Sequence, residues 1–144
     1  MGFDLYASNG KYFRNNVWWW RPLWVYVTAV CRDILSEDDI ERGNYNDAHF
    51  IDENKAKNIA ERLKTLIADG KTEVYALQRD KELQSLPDEI CVLCDGTGKK
   101  EGKKCYKCDG KGKNRPFETC YSFTTENVKA FADFCEKSNG FEIC

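Results

Sequence analysis

The chain holds one histidine among 144 residues, and no stretch of it approaches the ~18–20 consecutive apolar residues that a helix needs to cross a bilayer. The opening MGFDLYASNG has neither the basic start nor the apolar run of a secretory leader. Tyr6 stands where a myristoylation signal requires Ser or Thr. A cytoplasmic location is therefore expected. A Gly-rich phosphate loop, a nucleophile elbow and a metalloprotease helix are all missing. The lone histidine, His49 in NDAHFIDE, lies near Asp47 and Asp52, where an Asp–His pair more commonly caps a turn than moves protons. These absences lead to the expectation that the chain is not an enzyme. At 42% hydrophobic and 32% charged residues, with clear periodicity, it is globular and long enough for one core.

Eight cysteines, by contrast, are many. In a reducing compartment clustered cysteines bind metal more often than they pair as disulfides. Their spacing decides between the two. CVLCDGTG and CYKCDGKG, at residues 91–98 and 105–112, repeat the pattern Cys-x-x-Cys-x-Gly-x-Gly around a lysine-rich loop. Two Cys-x-x-Cys turns supply the four thiolates of a tetrahedral zinc site, with Cys91 and Cys94 in one knuckle and Cys105 and Cys108 in the other. The glycines following each pair allow the chain to turn sharply around sulfur. One structural Zn2+ at Cys91, Cys94, Cys105 and Cys108 is expected. The other four cysteines, Cys31, Cys120, Cys135 and Cys144, are too scattered for a second knuckle, and Cys31 and Cys135 fall on apolar helix faces.

The two cysteine runs resemble the repeat of the cysteine-rich zinc domain of DnaJ-type co-chaperones. In that family four repeats build two zinc sites, and two repeats suffice for one. The resemblance covers about 25 of the 144 residues. No His-Pro-Asp signature of a J-domain is present, so recruitment of an Hsp70-type ATPase does not carry over. The resemblance implies a zinc-stapled hairpin arm of a kind that helps hold other polypeptides. The N-terminal stretch, MGFDLY followed by YFRNNVWWWRPLW, loosely resembles small proteins of tailed phages and their bacterial hosts. That resemblance implies a host-directed interaction in the host cytoplasm, extending to modulation or inhibition of a host defence system.

Charge is unevenly spread. Residues 91–115 carry a formal +5 and the remainder −7, so the net −2 describes a basic arm on an acidic body. The periodicity predicts extended segments in FDLY and KYFRNNVWWWR around a Ser8-Asn9-Gly10 turn. A helix follows from Pro22 through Trp24, Val27 and Ile34 to the acidic SEDDIER, whose Glu37-Asp38-Asp39 run is expected in solvent. Asp52 caps a second helix with an apolar stripe from Ala56 to Ile67, stopped by Gly70. A third over 72–86 turns Val74, Leu77 and Leu83 inward and ends at Pro87. FETCYSF at 117–123 reads as a strand, Thr124 or Thr125 opens a last helix, and FEIC closes the chain as a short strand.

The expected fold is α+β, a single compact domain over 1–144 of about four helices with a small β-sheet, carrying an inserted zinc-binding hairpin at 91–115. In an extended strand Trp18 and Trp20 share one face and Trp19 takes the other, so one face is core and the other a platform, unless all four tryptophans pack inside. The residues expected to meet a partner are Trp18, Trp20 and Arg21 on that platform and Lys99, Lys100, Lys103 and Lys104 on the arm. The function favoured is a non-catalytic zinc-binding module for protein–protein interaction. The alternative is a nucleic-acid-binding protein using the lysine arm, although such lysines also serve simply to keep a zinc loop soluble. A thiol-disulfide oxidoreductase ranks third.

Overall fold

Alternation in GFDLYA sends Phe3, Leu5 and Ala7 to one face of a strand β1 (Gly2–Ala7), and a tight turn at Gly10 returns the chain as β2 (Tyr12–Asn16) in antiparallel register, Leu5 opposite Phe13. The computed structural model describes residues 1–144 and divides them into two units: Met1–Gln78 with Tyr121–Cys144, and Arg79–Cys120. In the first unit an antiparallel sheet of order β2-β1-β8-β3 is completed by β3 (His49–Ile51) and β8 (Phe141–Ile143). Ile143 lies opposite both Leu5 and His49, so the closing segment of the chain is the strand that joins the hairpin to β3. The buried row of Phe3, Leu5, Ile51, Phe141 and Ile143 is the floor of the core.

The tryptophan run is helical, not extended. Asn16 caps helix α1 (Val17–Val30), its side chain accepting from the Trp19 N–H at 3.2 Å. Helical geometry spreads the three indoles around the axis instead of alternating them. Trp20 points inward and is fully buried, Trp19 is half-buried, and Trp18 lies outside against Tyr121, ring centres 5.1 Å apart. Trp20 stacks between Phe3 at 5.5 Å and Trp24, one turn on, at 5.4 Å. Pro22 lies inside this helix, where its missing N–H leaves the Trp18 carbonyl without the usual partner. The backbone N–H of Ser122 supplies one at 3.0 Å.

Helix α1 stops at Val30, well short of the acidic run. The next helix, α2 (Glu37–Arg42), starts afresh with a reciprocal cap in which the Ser36 hydroxyl accepts from the Asp39 N–H and the Asp39 carboxylate accepts from the Ser36 N–H. The acids thus occupy a first turn, where the helix dipole favours them. Asp39 is buried, contrary to the expectation for this run, because its carboxylate also accepts from His49 Nε2 at 2.8 Å and from the Lys55 ammonium at 2.5 Å. This network ties α2 to β3 and to α3 (Glu53–Ala68), which Asp52 caps by accepting from the Lys55 N–H at 2.8 Å.

Burial pushes the Asp39 carboxyl up, but its three bonded partners prevail and hold it down at about 2. The shift is downward, so the stabilisation it brings is present above the ordinary carboxylate range and is lost as pH falls from about 4 towards 2. Asp33, Asp88 and Asp109 are held low by Arg62, Arg115 and Lys104, but those pairs are exposed and screened. Asp39→Asn is expected to lower the urea midpoint at neutral pH and to remove this acid step. The midpoint, followed by tryptophan emission, checks both. An unchanged acid limb in the variant would be inconsistent with this account.

The apolar stripe of α3, Ala56, Ile59, Ala60 and Leu63, packs beneath α5 (Thr125–Lys137), which Thr124 caps and which contributes Val128, Phe131, Ala132 and Cys135. Cys31 and Cys135 are both buried here, and burial raises Cys31 to about 12 and Cys135 well above its usual range, leaving both as inert apolar groups. Helix α4 (Lys71–Ser85) uses a different face from the one expected. Val74 and Leu77 are exposed, while Thr72 and Ala76 are buried and Tyr75 meets Tyr26 and Phe123. Small residues let the helix sit close, with the Thr72 and Tyr26 hydroxyls bonded at 2.8 Å. Residues 117–120 form a 3-10 turn, not a strand, since the Thr119 N–H and hydroxyl both return to the Pro116 carbonyl. The fold is α+β, with five α-helices and small antiparallel sheets. No helix is long and apolar enough to cross a membrane.

The boundary between units falls within α4, so the second unit is wider than the 91–115 segment that the cysteines mark. Arg115 accounts for part of that width. Its guanidinium donates to the Leu83 and Leu86 carbonyls at 2.9 and 2.7 Å and to the Asp88 carboxylate at 2.7 Å, closing the end of α4 onto the base of the arm.

Candidate metal centre

The arm is built from two halves, 89–100 and 103–114, that repeat each other at an offset of 14 residues. Strands β4 (Glu89–Ile90) and β7 (Lys113–Asn114) form one short ladder, and β5 (Lys99–Lys100) and β6 (Lys103–Lys104) form the other. Every backbone contact of one half recurs in its counterpart. The Gly96 N–H donates to Cys91 O and the Gly110 N–H to Cys105 O, at 3.2 and 3.1 Å. Across the halves, the Cys91 N–H reaches Gly112 O at 3.0 Å and the Cys105 N–H reaches Gly98 O at 2.9 Å. Asp95, Gly96 and Gly98 have φ of 51, 82 and 78°, and Asp109, Gly110 and Gly112 have 55, 78 and 77°. Conformation alone does not explain the last glycine of each motif. A Cβ on Gly98 would lie 2.5 Å from the Gly110 carbonyl oxygen, and one on Gly112 would meet the Gly96 oxygen in the same way.

This framework converges four buried sulfurs, from Cys91, Cys94, Cys105 and Cys108, all within 4.8 Å of one another. Cys91 and Cys105 are 3.9 Å apart and Cys94 and Cys108 3.7 Å. A tetrahedron with metal–sulfur bonds of 2.3 Å has an edge of about 3.8 Å, whereas a disulfide closes to about 2.05 Å. All eight cysteines are free thiols, so the arrangement is that of a four-sulfur metal site. Backbone N–H groups are aimed at the sulfurs: Gly98 to Cys94 at 3.3 Å and Gly112 to Cys108 at 3.2 Å. The N–H groups of Cys94 and Leu93 hold the Cys91 thiol down at about 6 against burial. For Cys94, burial works upward and is overcome by the Gly98 N–H and the Cys108 thiol. Cys105 goes the other way. The N–H of Cys108 lowers it, but burial and the adjacent Cys108 and Cys94 thiols leave it above its ordinary value. A soft, all-sulfur tetrahedral set suits one ion of the zinc class.

No other group of three or more potential ligand residues converges in the chain, and His49 is occupied by Asp39. Asp47, its expected neighbour, pairs with Arg42 instead, and Asp52 caps α3. Among the residues expected to meet a partner, Trp18 and Arg21 lie on the exposed side of α1, but Trp20 is core and offers no surface. The indole N–H of Trp20 is likewise used internally, donating to Gly43 O at 2.8 Å. Lys99, Lys100, Lys103 and Lys104 are all exposed and share one ladder.

Sequence reasoning missed an apolar ledge. Ile90, Val92 and Phe117 are 73, 74 and 61% exposed and border a cleft of about 410 Å³ together with Lys107, Asn114 and Arg115. The signal was the presence of Ile90 and Val92 on either side of Cys91, in a unit whose own core consists of the four cysteines and Leu93. Searched against known proteins, the chain matches no family model, no curated protein and no solved structure.

Proposed function

We propose that the chain is a non-catalytic interaction module in which one structural Zn2+, held by Cys91, Cys94, Cys105 and Cys108, rigidifies an arm that grips a partner protein. The observation that carries this reading is the apolar ledge of Ile90, Val92 and Phe117, three large exposed side chains in the unit that holds the metal site. Exposed apolar surface beside a rigid, stapled backbone loses little entropy on docking, and a cleft edged by Lys107 and Arg115 suits a polypeptide segment that carries an apolar anchor and an acid. The closed set of four sulfurs supplies folding energy and leaves no open coordination position for chemistry. The likeness of the repeats to the DnaJ-type zinc domain supports polypeptide holding. The likeness of the N-terminal stretch to tailed-phage proteins directs the reading to a host protein in the cytoplasm, a defence component included.

Capture on the immobilised, zinc-loaded chain, followed by titration of the purified captured protein, tests the reading. Ile90→Asp with Val92→Asp is expected to keep its zinc and to bind the partner at least tenfold more weakly. Equal binding by the variant, or capture of no saturable partner, would overturn it.

A further inference from the structure

The repeat makes the two ladders of the arm comparable position by position, and they differ in charge. Glu89 faces Asn114 and Ile90 faces Lys113 in one ladder, whereas in the other Lys99 faces Lys104 and Lys100 faces Lys103. Like charges directly opposite on neighbouring strands are destabilising. The half at 89–100 is neutral and the half at 103–114 carries +4. The metal site takes two sulfurs from each half, so lysines serving only to offset its charge would be shared between the ladders. They are gathered at one.

Only Lys104 of this quartet is engaged, its ammonium 2.7 Å from Asp109. Lys99, Lys100 and Lys103, together with Lys107 and Lys111 on the second knuckle, have no ion pair. Lys107 and Lys111 border a cleft of about 360 Å³ with Lys113 and Arg115; its two acids, Asp88 and Asp109, are already paired with Lys113, Arg115 and Lys104. Between Lys104 and Lys107 stands Tyr106, 84% exposed, at the place Val92 fills in the other half. We infer that this basic end of the arm binds single-stranded nucleic acid, the unpaired lysines lying along the phosphates and Tyr106 stacking on a base.

Three features select that ligand. The free cations are all lysines, point charges that suit phosphate and lack the fork by which arginine takes carboxylates. The hairpin tip is Glu101-Gly102, an acid and a glycine with nothing apolar to enter a membrane. A protruding aromatic ring finds a partner in an unstacked base, whereas the bases of a duplex are already stacked. The inference goes beyond the protein-docking ledge and does not depend on it: Lys107 borders the ledge's cleft as well, but Lys99, Lys100, Lys103 and Tyr106 do not.

The test is fluorescence anisotropy of labelled oligothymidylate and oligouridylate with the zinc-loaded full chain, against unlabelled duplex, polyglutamate and phosphatidylserine vesicles as competitors. Binding by either strand is expected, with log K falling against log salt at a slope of about −3 for the five free lysines. Lys100→Ala with Lys103→Ala should weaken binding and make that slope shallower by about 1. Tyr106→Ala should weaken binding about tenfold at unchanged slope. Failure to bind at low salt, competition by polyglutamate or vesicles equal to that of the unlabelled strand, preference for duplex, or indifference to Tyr106→Ala would each overturn it. Ile90→Ser with Val92→Ser, which adds no charge beside Lys107, should bind the oligonucleotides like the parent, which separates this site from the protein-docking ledge.

Discussion

Cys105→Ser is expected to abolish stoichiometric zinc binding and, with it, the folded state of Arg79–Cys120. Structural zinc contributes roughly 10–16 kcal/mol of apparent binding free energy at neutral pH in domains that depend on it. Here there is little else to draw on. The unit's only buried cluster is the four cysteines with Leu93, and its strands are two residues long. The first unit has a separate core, from Phe3 and Leu5 through Phe141 and Ile143, to which no residue of 79–120 belongs. Chelation of the parent chain should therefore erase amide protection at Cys91, Gly96, Gly98, Cys105, Gly110 and Gly112, while protection in β1 and α5 survives. Gly98→Ala leaves all four sulfurs in place yet should move the same way, because its methyl group meets the Gly110 carbonyl across the repeat. Hydrogen exchange read by mass spectrometry, with zinc content measured in parallel, decides the matter. Full zinc occupancy in Cys105→Ser, or unchanged exchange after chelation, would be incompatible with the site.

Trp20→Ala should cost about 3–5 kcal/mol, the range for deleting a buried aromatic side chain. Against the ~5–15 kcal/mol that whole domains command, such a loss leaves the first unit near its unfolding threshold. The indole is fully buried, stacks on Phe3 and Trp24, meets Phe131 edge-on at 5.7 Å and donates to the Gly43 carbonyl. Gly43 itself lies so close to Trp24 that any side chain there would overlap the ring. Trp20→Phe keeps the stacking and loses the hydrogen bond, so it should fall between parent and Trp20→Ala. Trp18→Ala, on the outer side of the same helix, should cost far less. Guanidinium unfolding followed by far-UV circular dichroism gives all three. A Trp20→Ala cost no larger than that of Trp18→Ala would contradict the inward placement.

What was legible in the sequence was local. Each knuckle is a few residues long, and its ligands and glycines are fixed by chemistry within that span, so Cys91, Cys94, Cys105 and Cys108 were readable from spacing alone. The Asp52 and Thr124 caps and the stripes of α3 and α5 were readable for the same reason. The tryptophans were misread because alternation presupposes an extended chain. Asn16, placed to cap the Trp19 N–H, was the overlooked sign of a helix start. Helix α4 turned its small residues inward because close approach to Tyr26 and Phe123 outweighed the burial of Val74 and Leu77. Strand β3 is only three residues long and exists through its pairing with β8, a partner ninety-odd residues away that no local pattern reveals. The opposition of lysines across β5 and β6 depends on register, which composition does not disclose.

Glu73 and Thr125 share a hydrogen bond of 2.5 Å, and the rings of Tyr75 and Phe123 are 5.0 Å apart. The chain thus departs from the first unit and rejoins it at adjacent points, and the path it takes in between is a closed excursion. An excursion of that kind is exchangeable: joining Gln78 to Tyr121 by a short bridge would leave every core side chain of the first unit in the chain, and a foreign loop grafted at the same joints would inherit the same footing. Variation in the arm's length or chemistry is thereby uncoupled from the scaffold that carries it.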